Sequence, residues 1–336
     1  MIEKQEPFVS VCCITYNQEA YIGDAIDSFL KQETTFPFEI IVHDDASTDG
    51  TADVVREYEA RHPDLIRSIL QTENQFSKGV MVPFINTLRY AQGKYIALCE
   101  GDDYWTDPSK LQKQITEMED HPDCYMSFHP AVLNWNDGAR AAQVVNAYSE
   151  IIKVFSIEEV IVGGGSFIPS ASIVLRDQVI PRIISFFDLS KKPPCGDYYM
   201  QILGAERGGA LFLKDAMSGY RKNVPGSFSE KTVQDSEFQR VWATTYIDTF
   251  GEIDAFTGYK YSRQFAVAKR NFVLDILLSG DYDRAAQEEI LRHYRNAGDD
   301  RLWGAALGSP VLIRLLKMLK SVRHRVKGIP NCRSPE

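Results

Sequence analysis

The six cysteines, Cys12, Cys13, Cys99, Cys124, Cys195 and Cys332, form no C-x-x-C pair, which sets aside the common zinc and thioredoxin spacings. Cys12, Cys13 and Cys99 fall in apolar runs of strand character, so free thiols in a reducing cytosol are expected. No apolar run approaches the roughly 20 residues that cross a bilayer. The opening Met1-Ile2-Glu3-Lys4-Gln5-Glu6-Pro7 carries acids and no apolar stretch, so it does not read as a secretory signal. Internal repeats and low-complexity segments are missing too. Positive charge is in deficit: 37 Lys and Arg against 46 Asp and Glu leave a net charge of -9, which argues against nucleic acid as a partner. A hydrophobic content of 44% and a charged content of 25% in 336 residues describe an ordinary globular protein of one large domain, or one domain and an appendage.

The chain is organised around Tyr95-Ile96-Ala97-Leu98-Cys99-Glu100-Gly101-Asp102-Asp103. Tyr95 to Cys99 reads as a strand buried on both faces, and it breaks into three carboxylates within four residues. Like charges gathered at the end of a buried strand need a counter-charge, and a divalent cation with oxygen ligands supplies one. A solvated acidic turn is the plainer alternative. Gly101 leaves room for a bulky ligand against the backbone.

Upstream, Phe8 to Thr15, Phe38 to Val42 and Ile66 to Leu70 read as strands. Helical stripes follow, on Ile22, Ile26, Phe29 and Leu30, on Ala52, Val55 and Tyr58, and over Pro83 to Ala91. That alternation predicts βαβ units and a parallel sheet, with the loops after Thr15, Val42 and Cys99 along one edge. Such edges bind ligands. Asp44-Asp45 is a second acidic pair at a strand end. Asp49 reads equally as a helix cap, whereas Asp45 lies too early to cap. Tyr16 suits stacking on a planar base or packing on the sheet.

Beyond the acids, Asp107-Pro108 opens a helix over Ser109 to Met118. Cys124 to Phe128, Ala171 to Leu175, Ala210 to Leu213 and Ala216 to Arg221 read as strands. Asn134 to Ser149 reads as an irregular surface excursion. A short helix starts at Ser156 and stops at Gly163-Gly164-Gly165, and others cover Gln178 to Phe187 and Tyr198 to Leu203. Asp197, before that last helix, is either its N-cap or a functional acid. From about Glu230 strand runs vanish, and Phe256 to Ser279 and Tyr282 to Ala297 read as two helices. Val311 to Lys327 is amphipathic, and no acid occurs from Arg301 to Pro335. That asymmetry suggests either contact with anionic lipid or a basic solvated helix packed on its own domain.

Val9-Ser10-Val11 with Thr15-Tyr16-Asn17, then Asp44-Asp45-Ala46-Ser47-Thr48-Asp49-Gly50-Thr51, then Glu100-Gly101-Asp102-Asp103, in that order and spacing, resemble the family 2 glycosyltransferases. The resemblance covers residues 7–230. It implies an α/β GT-A fold that binds a nucleotide-sugar on a mostly parallel central sheet. Residues 7–120 would be the nucleotide-binding half and 121–230 the acceptor half, with 231–336 a helical C-terminal extension. It implies an inverting transfer from a nucleotide-sugar, UDP-linked by family analogy, to a glycan or lipid-linked acceptor in surface polysaccharide synthesis.

By position, Thr15 and Tyr16 would line the nucleoside pocket and Asp45 would bond the base. Asp103 would bind Mn²⁺ or Mg²⁺, with Asp102 on the ribose or the metal. Asp197 would be the catalytic base, and Lys78 would contact the diphosphate. Glu100 stands where the usual motif begins with Asp, and Asn223 where a histidine often follows Tyr220-Arg221. A cytoplasmic enzyme, peripheral at the inner membrane face, is the expected setting. The competing readings are a nucleotidyltransferase, which usually has a Gly-rich basic loop where this chain has Tyr16-Asn17-Gln18-Glu19, and a non-catalytic nucleotide-sugar-binding module.

Overall fold

The computed structural model describes residues 6–79, 81–135, 140–190, 195–227, 230, 235–279, 283–296 and 309. The chain divides into two compact units, Met1–Lys231 and Thr232–Glu336.

The first unit begins with β1 (Val9–Thr15), α1 (Ile22–Leu30), β2 (Phe38–Asp44), α2 (Thr51–Arg61), β3 (Ile66–Leu70), a 3-10 turn at Phe76–Lys78, α3 (Val82–Leu88) and β4 (Tyr95–Glu100). It continues through β5 (Tyr104–Trp105), α4 (Lys110–Asp120), β6 (Met126–Phe128), β7 (Ala131–Trp135), β8 (Gln143–Val145), β9 (Lys153–Phe155) and α5 (Ile157–Gly163). A 3-10 turn at Ser170–Ser172, β10 (Val174–Arg176), α6 (Ile180–Leu189), α7 (Asp197–Ala205), β11 (Ala210–Phe212) and β12 (Ser218–Lys222) complete it.

Eight strands form the main sheet in the order β3-β2-β1-β4-β10-β6-β11-β9. Its first four are mutually parallel, as is the β6–β11 pair, while β10 and β9 run against their neighbours. Val9, Val11 and Cys13 of β1, Ile40 and Val42 of β2, and Tyr95 and Ala97 of β4 are fully enclosed, as continuous apolar runs require of strands covered on both faces. The stripe of α1 buries Ile22, Ile26 and Phe29 in the same core, each contributing about 1.5–3 kcal/mol. Ser156 and Glu159 close a reciprocal capping box at the start of α5.

Two departures from the sequence reading concern architecture. The chain builds a second sheet, in the order β5-β12-β7-β8. It passes through Asn134 to Ser149, read above as irregular. There β8 is a three-residue edge strand paired antiparallel to β7, too short to show an alternation. The glycine triplet ends α5 as expected, with Gly164 at φ 76°.

The second unit holds α8 (Ser236–Phe256), α9 (Ser262–Ser279) and α10 (Arg284–Asn296). The helix expected from Phe256 onward is therefore broken, and Gly258 at φ 70° lies in the gap. Ala243, Ile247, Val273, Ile276, Leu277 and Ile290 make this unit's own core. The basic stretch 311–327 and Cys332 lie outside the described residues, while Cys12, Cys13, Cys99, Cys124 and Cys195 are in no disulfide. No helix among the described residues is long and apolar enough to cross a membrane.

Lys110, at the start of α4, is fully buried. Its ammonium stands 4.2 Å from the centroid of the Trp105 ring, and its Nζ has no hydrogen-bond partner. Burial pulls its pKa down from 10.5 to about 7, because an unpaired charge is costly in an apolar interior.

Candidate active site

Register places the site. In the β1–β2 pair Thr15 lies opposite Asp44, and in the β1–β4 pair Ile14 lies opposite Glu100. The carboxyl ends of three adjacent strands therefore meet along one edge.

The first two loops there are stitched together. The main-chain N–H of Asn17 donates to Ser47 Oγ at 2.8 Å, and Thr48 N–H donates to Asn17 Oδ1 at 2.7 Å. Gln18 N–H donates to Thr51 Oγ1 and Gly50 N–H to Glu19 Oε2. Asp49 accepts from the N–H and hydroxyl of Thr51 and from the N–H of Glu19. Its burial works against ionisation, but these donors prevail and lower its pKa, so its oxygens are engaged within the loops.

Asp44 accepts from the N–H and hydroxyl of Ser47. Asp45, buried, accepts from the main-chain N–H groups of Gln75 at 2.6 Å and Phe76 at 2.9 Å. The structure thus gives the Asp45 carboxylate to the turn that carries Lys78. Lys78 itself is an exposed partner of Glu73 at 3.1 Å. Thr15 is buried and donates to Gln18 Oε1 at 2.8 Å, while Tyr16 beside it is 43% exposed.

The loop after β4 is different. Glu100, Asp102 and Asp103 crowd together, and Asp197 is brought to them at the start of α7. Burial raises the pKa of Glu100 well above its usual value, with repulsion from Asp197, Asp102 and Asp103 adding to it. Asp103, 2% exposed, is likewise pushed well up by burial and by Asp102, against the opposing pull of Arg221. Asp102 is raised by burial, with Arg221 and Gln18 acting the other way.

Gly101 is crowded by protein: a Cβ there would lie 2.6 Å from Gln18 Oε1 and 2.7 Å from Thr15 Oγ1. Its small size serves the packing of the two loops rather than the approach of a ligand.

Asp197 is the first residue of α7. The N-cap is Gly196, with no side-chain cap bond, so the capping alternative for Asp197 is not what forms. The Asp197 carboxylate accepts from Ser170 Oγ at 2.6 Å. Burial raises its pKa, partly offset by that hydrogen bond. Gly196 allows the close approach, since a Cβ there would lie 1.8 Å from Met81 Sδ.

The structure therefore brings Glu100, Asp102, Asp103 and Asp197 together, on an edge shared with Thr15 and Asp45. Lys78 is engaged by Glu73 and Gln75. Sequence reasoning missed Ser170 and the link from Arg221 to Asp103, whose partners are 27 and 118 residues away. The one local cue was an arginine beside Tyr220 in a strand-like run. Asn223, at φ 64°, follows directly on β12.

A divalent cation suits this donor set. Buried carboxylates that repel one another, all oxygen donors, are ligands for a hard cation. Among the described residues, no group of three or more His, Cys, Asp or Glu side chains is by itself arranged to hold a metal ion.

Residues 10–176 match the family model described as Glycosyl transferase family 2. An uncharacterized protein of Mycobacterium tuberculosis is 38% identical over 218 residues, 65% of this chain and 60% of that protein. The putative teichuronic acid biosynthesis glycosyltransferase TuaG of Bacillus subtilis is 33% identical over 158 residues, 47% of this chain and 60% of that protein. The chain thus spans 60% of the length of these relatives. Among solved structures, residues 1–349 of S. aureus TarS in complex with UDP-GlcNAc superpose with a TM-score of 0.53 at 18% identity, over 88% of this chain and 92% of that one. The mannosyltransferase PcManGT of Pyrobaculum calidifontis, in complex with GDP-Man and Mn²⁺, gives 0.51 at 17% identity, over 98% and 89%. At such identities the likeness is one of fold, and that fold is GT-A, with the α/β sheet expected for it.

Proposed function

Residues 10–176 of this chain belong to glycosyltransferase family 2, and on that premise we propose that the protein is a metal-dependent, inverting glycosyltransferase. It moves a sugar from a UDP-linked donor to a hydroxyl of a glycan or lipid-linked acceptor in surface polysaccharide synthesis. The observation that carries this is the gathering of Glu100, Asp102 and Asp103 at the end of β4 with Asp197 at the start of α7. The printed name of TuaG, and the UDP-GlcNAc bound to TarS, favour the substrate class.

In this reading Asp103, with Asp102 beside it, holds Mn²⁺ or Mg²⁺. When bound, that ion neutralises the charge that develops on the departing diphosphate. Thr15 and Tyr16 frame the nucleoside, Asp45 supports that pocket by holding the Gln75–Phe76 turn, and Lys78 of the same turn meets the diphosphate by swinging away from Glu73. Asp197 takes the proton from the acceptor hydroxyl as its oxygen bonds to the anomeric carbon and the bond to the diphosphate breaks. The raised pKa of Asp197 makes it a stronger base than an ordinary carboxylate. One displacement inverts the anomeric centre, and no carboxylate nucleophile is needed. Peripheral contact with anionic lipid at the cytoplasmic face rests on the basic stretch 311–327 alone.

The test is a thermal-shift series of nucleotide-sugars with and without Mn²⁺. A UDP-sugar with Mn²⁺ raises the melting temperature more than either alone. A flat response to every nucleotide-sugar in the presence of Mn²⁺ refutes the proposal.

A further inference from the structure

Arg221 occupies an unusual place. It lies on β12 opposite Asn134 of β7, and its side chain is only 14% exposed. Its main-chain N–H donates to Asp103 Oδ1 at 2.9 Å. One guanidinium nitrogen donates to the carbonyl oxygen of Asp102 at 2.8 Å, and another to Asp24 Oδ2 on α1 at 2.5 Å. The guanidinium carbon stands 4.4 Å from the centroid of the Tyr104 ring. That ring is itself fixed: Asn134 Nδ2 donates to its hydroxyl at 3.0 Å, and a Cβ on Gly219 would come within 2.5 Å of it. One residue therefore grips the acidic loop at two points, and is braced by α1 and by Tyr104.

We propose that Arg221 is a positioning residue for the divalent ion: braced by Asp24, it fixes the Asp103 carboxylate and the Asp102 backbone in the geometry that binds the metal. The inference rests on the metal-dependent reading above and deepens it. An arginine fork is suited to this because its donors diverge in one plane, so a single side chain can bond a carbonyl and a carboxylate at once. A lysine in its place keeps the charge and loses one of the two grips. Residues that orient a metal ligand commonly change metal affinity about 10–100-fold when removed.

The experiment titrates Mn²⁺ into the full chain in the presence of UDP by calorimetry, with electron paramagnetic resonance of free Mn²⁺ as a second readout. Arg221→Ala weakens Mn²⁺ binding about tenfold or more, and Arg221→Lys restores it only in part. Asp24→Asn, at the 64%-exposed end of the brace, weakens it in the same direction by a smaller factor. In turnover, the Mn²⁺ concentration for half-maximal rate rises, while kcat at saturating Mn²⁺ changes less. Circular dichroism checks the fold, and if Arg221→Ala does not fold, Asp24→Asn decides. Unchanged Mn²⁺ affinity together with weakened UDP binding would overturn the inference and make Arg221 a diphosphate contact. No Mn²⁺ binding by the unsubstituted chain would instead remove the parent reading, and this one with it.

Discussion

Two Asp-Asp pairs stand at the carboxyl ends of strands in one parallel sheet, and they come to opposite ends. Asp44 and Asp45 spend their oxygens on Ser47, Gln75 and Phe76, so they hold loops. Asp102 and Asp103 crowd against Glu100 and Asp197, and burial raises their pKa values, a setting that suits a cation. Neighbouring charge makes the difference: Asp103 also accepts a main-chain bond, from Arg221, but it has Asp102 and Asp197 beside it, and carboxylates so crowded favour a cation among them.

The contrast can be broken at its chemical end first. Asp197→Asn lowers kcat by about 10²–10⁴-fold, the usual worth of a general base, and leaves UDP-sugar affinity within a few fold. Calorimetry paired with turnover checks this, and equal loss of both would make Asp197 a structural residue. At the structural end, Asp45→Ala strands two main-chain donors and costs about 2–5 kcal/mol of stability. Asp103→Ala in metal-free protein costs far less, because it also relieves a repulsion. Denaturant unfolding of the two variants separates them, and equal losses erase the distinction drawn between the pairs.

Lys110 is a buried charge of the other sign, and it extends the contrast. With a folded pKa of about 7 against 10.5 unfolded, the unfolded chain binds the extra proton between those values, so stability rises with pH across that window. Lys110→Met removes the penalty and gains about 2 kcal/mol at pH 7, part of the full penalty being offset by the Trp105 ring. The gain fades towards pH 10.5. A gain that does not vary with pH would show that the site is repacked rather than discharged.

The smallest effect is the most discriminating. Glu100, Asp102, Asp103 and Asp197 all have raised folded pKa values. Their contribution is present below the ordinary carboxylate range and is lost as pH rises through the raised values. Metal-free protein therefore loses stability on going from pH 4 towards neutrality through this term, and Mn²⁺ stabilises it more at pH 7 than at pH 5, by about 2–3 °C in melting temperature. Equal Mn²⁺ shifts at both pH values contradict the crowding.

The same contrast marks what the sequence could tell. The strands β1, β2 and β4 were legible because burial gives near-continuous apolar runs, while β3, in which only Ile66 is buried, was legible from its place in the strand-helix alternation. Of the three-residue strands, β11 and β6 were read within Ala210 to Leu213 and Cys124 to Phe128 and β10 with its start placed early, while β8 and β9 were missed, because no periodicity fits in three residues. The acids at strand ends were legible as candidates. Which pair holds loops was not, because the deciding donors at Gln75 and Phe76 lie 30 and 31 residues beyond Asp45. The second sheet was invisible for the same reason: β5 is two residues long and finds its partner at Ser218 and Gly219.

The backbone leaves the large sheet at Glu100 and enters the small one at Tyr104. The acids ride on that crossing, so an ion caught there would act as a rivet between the two layers, and the slip of one against the other would be felt as a change in its grip.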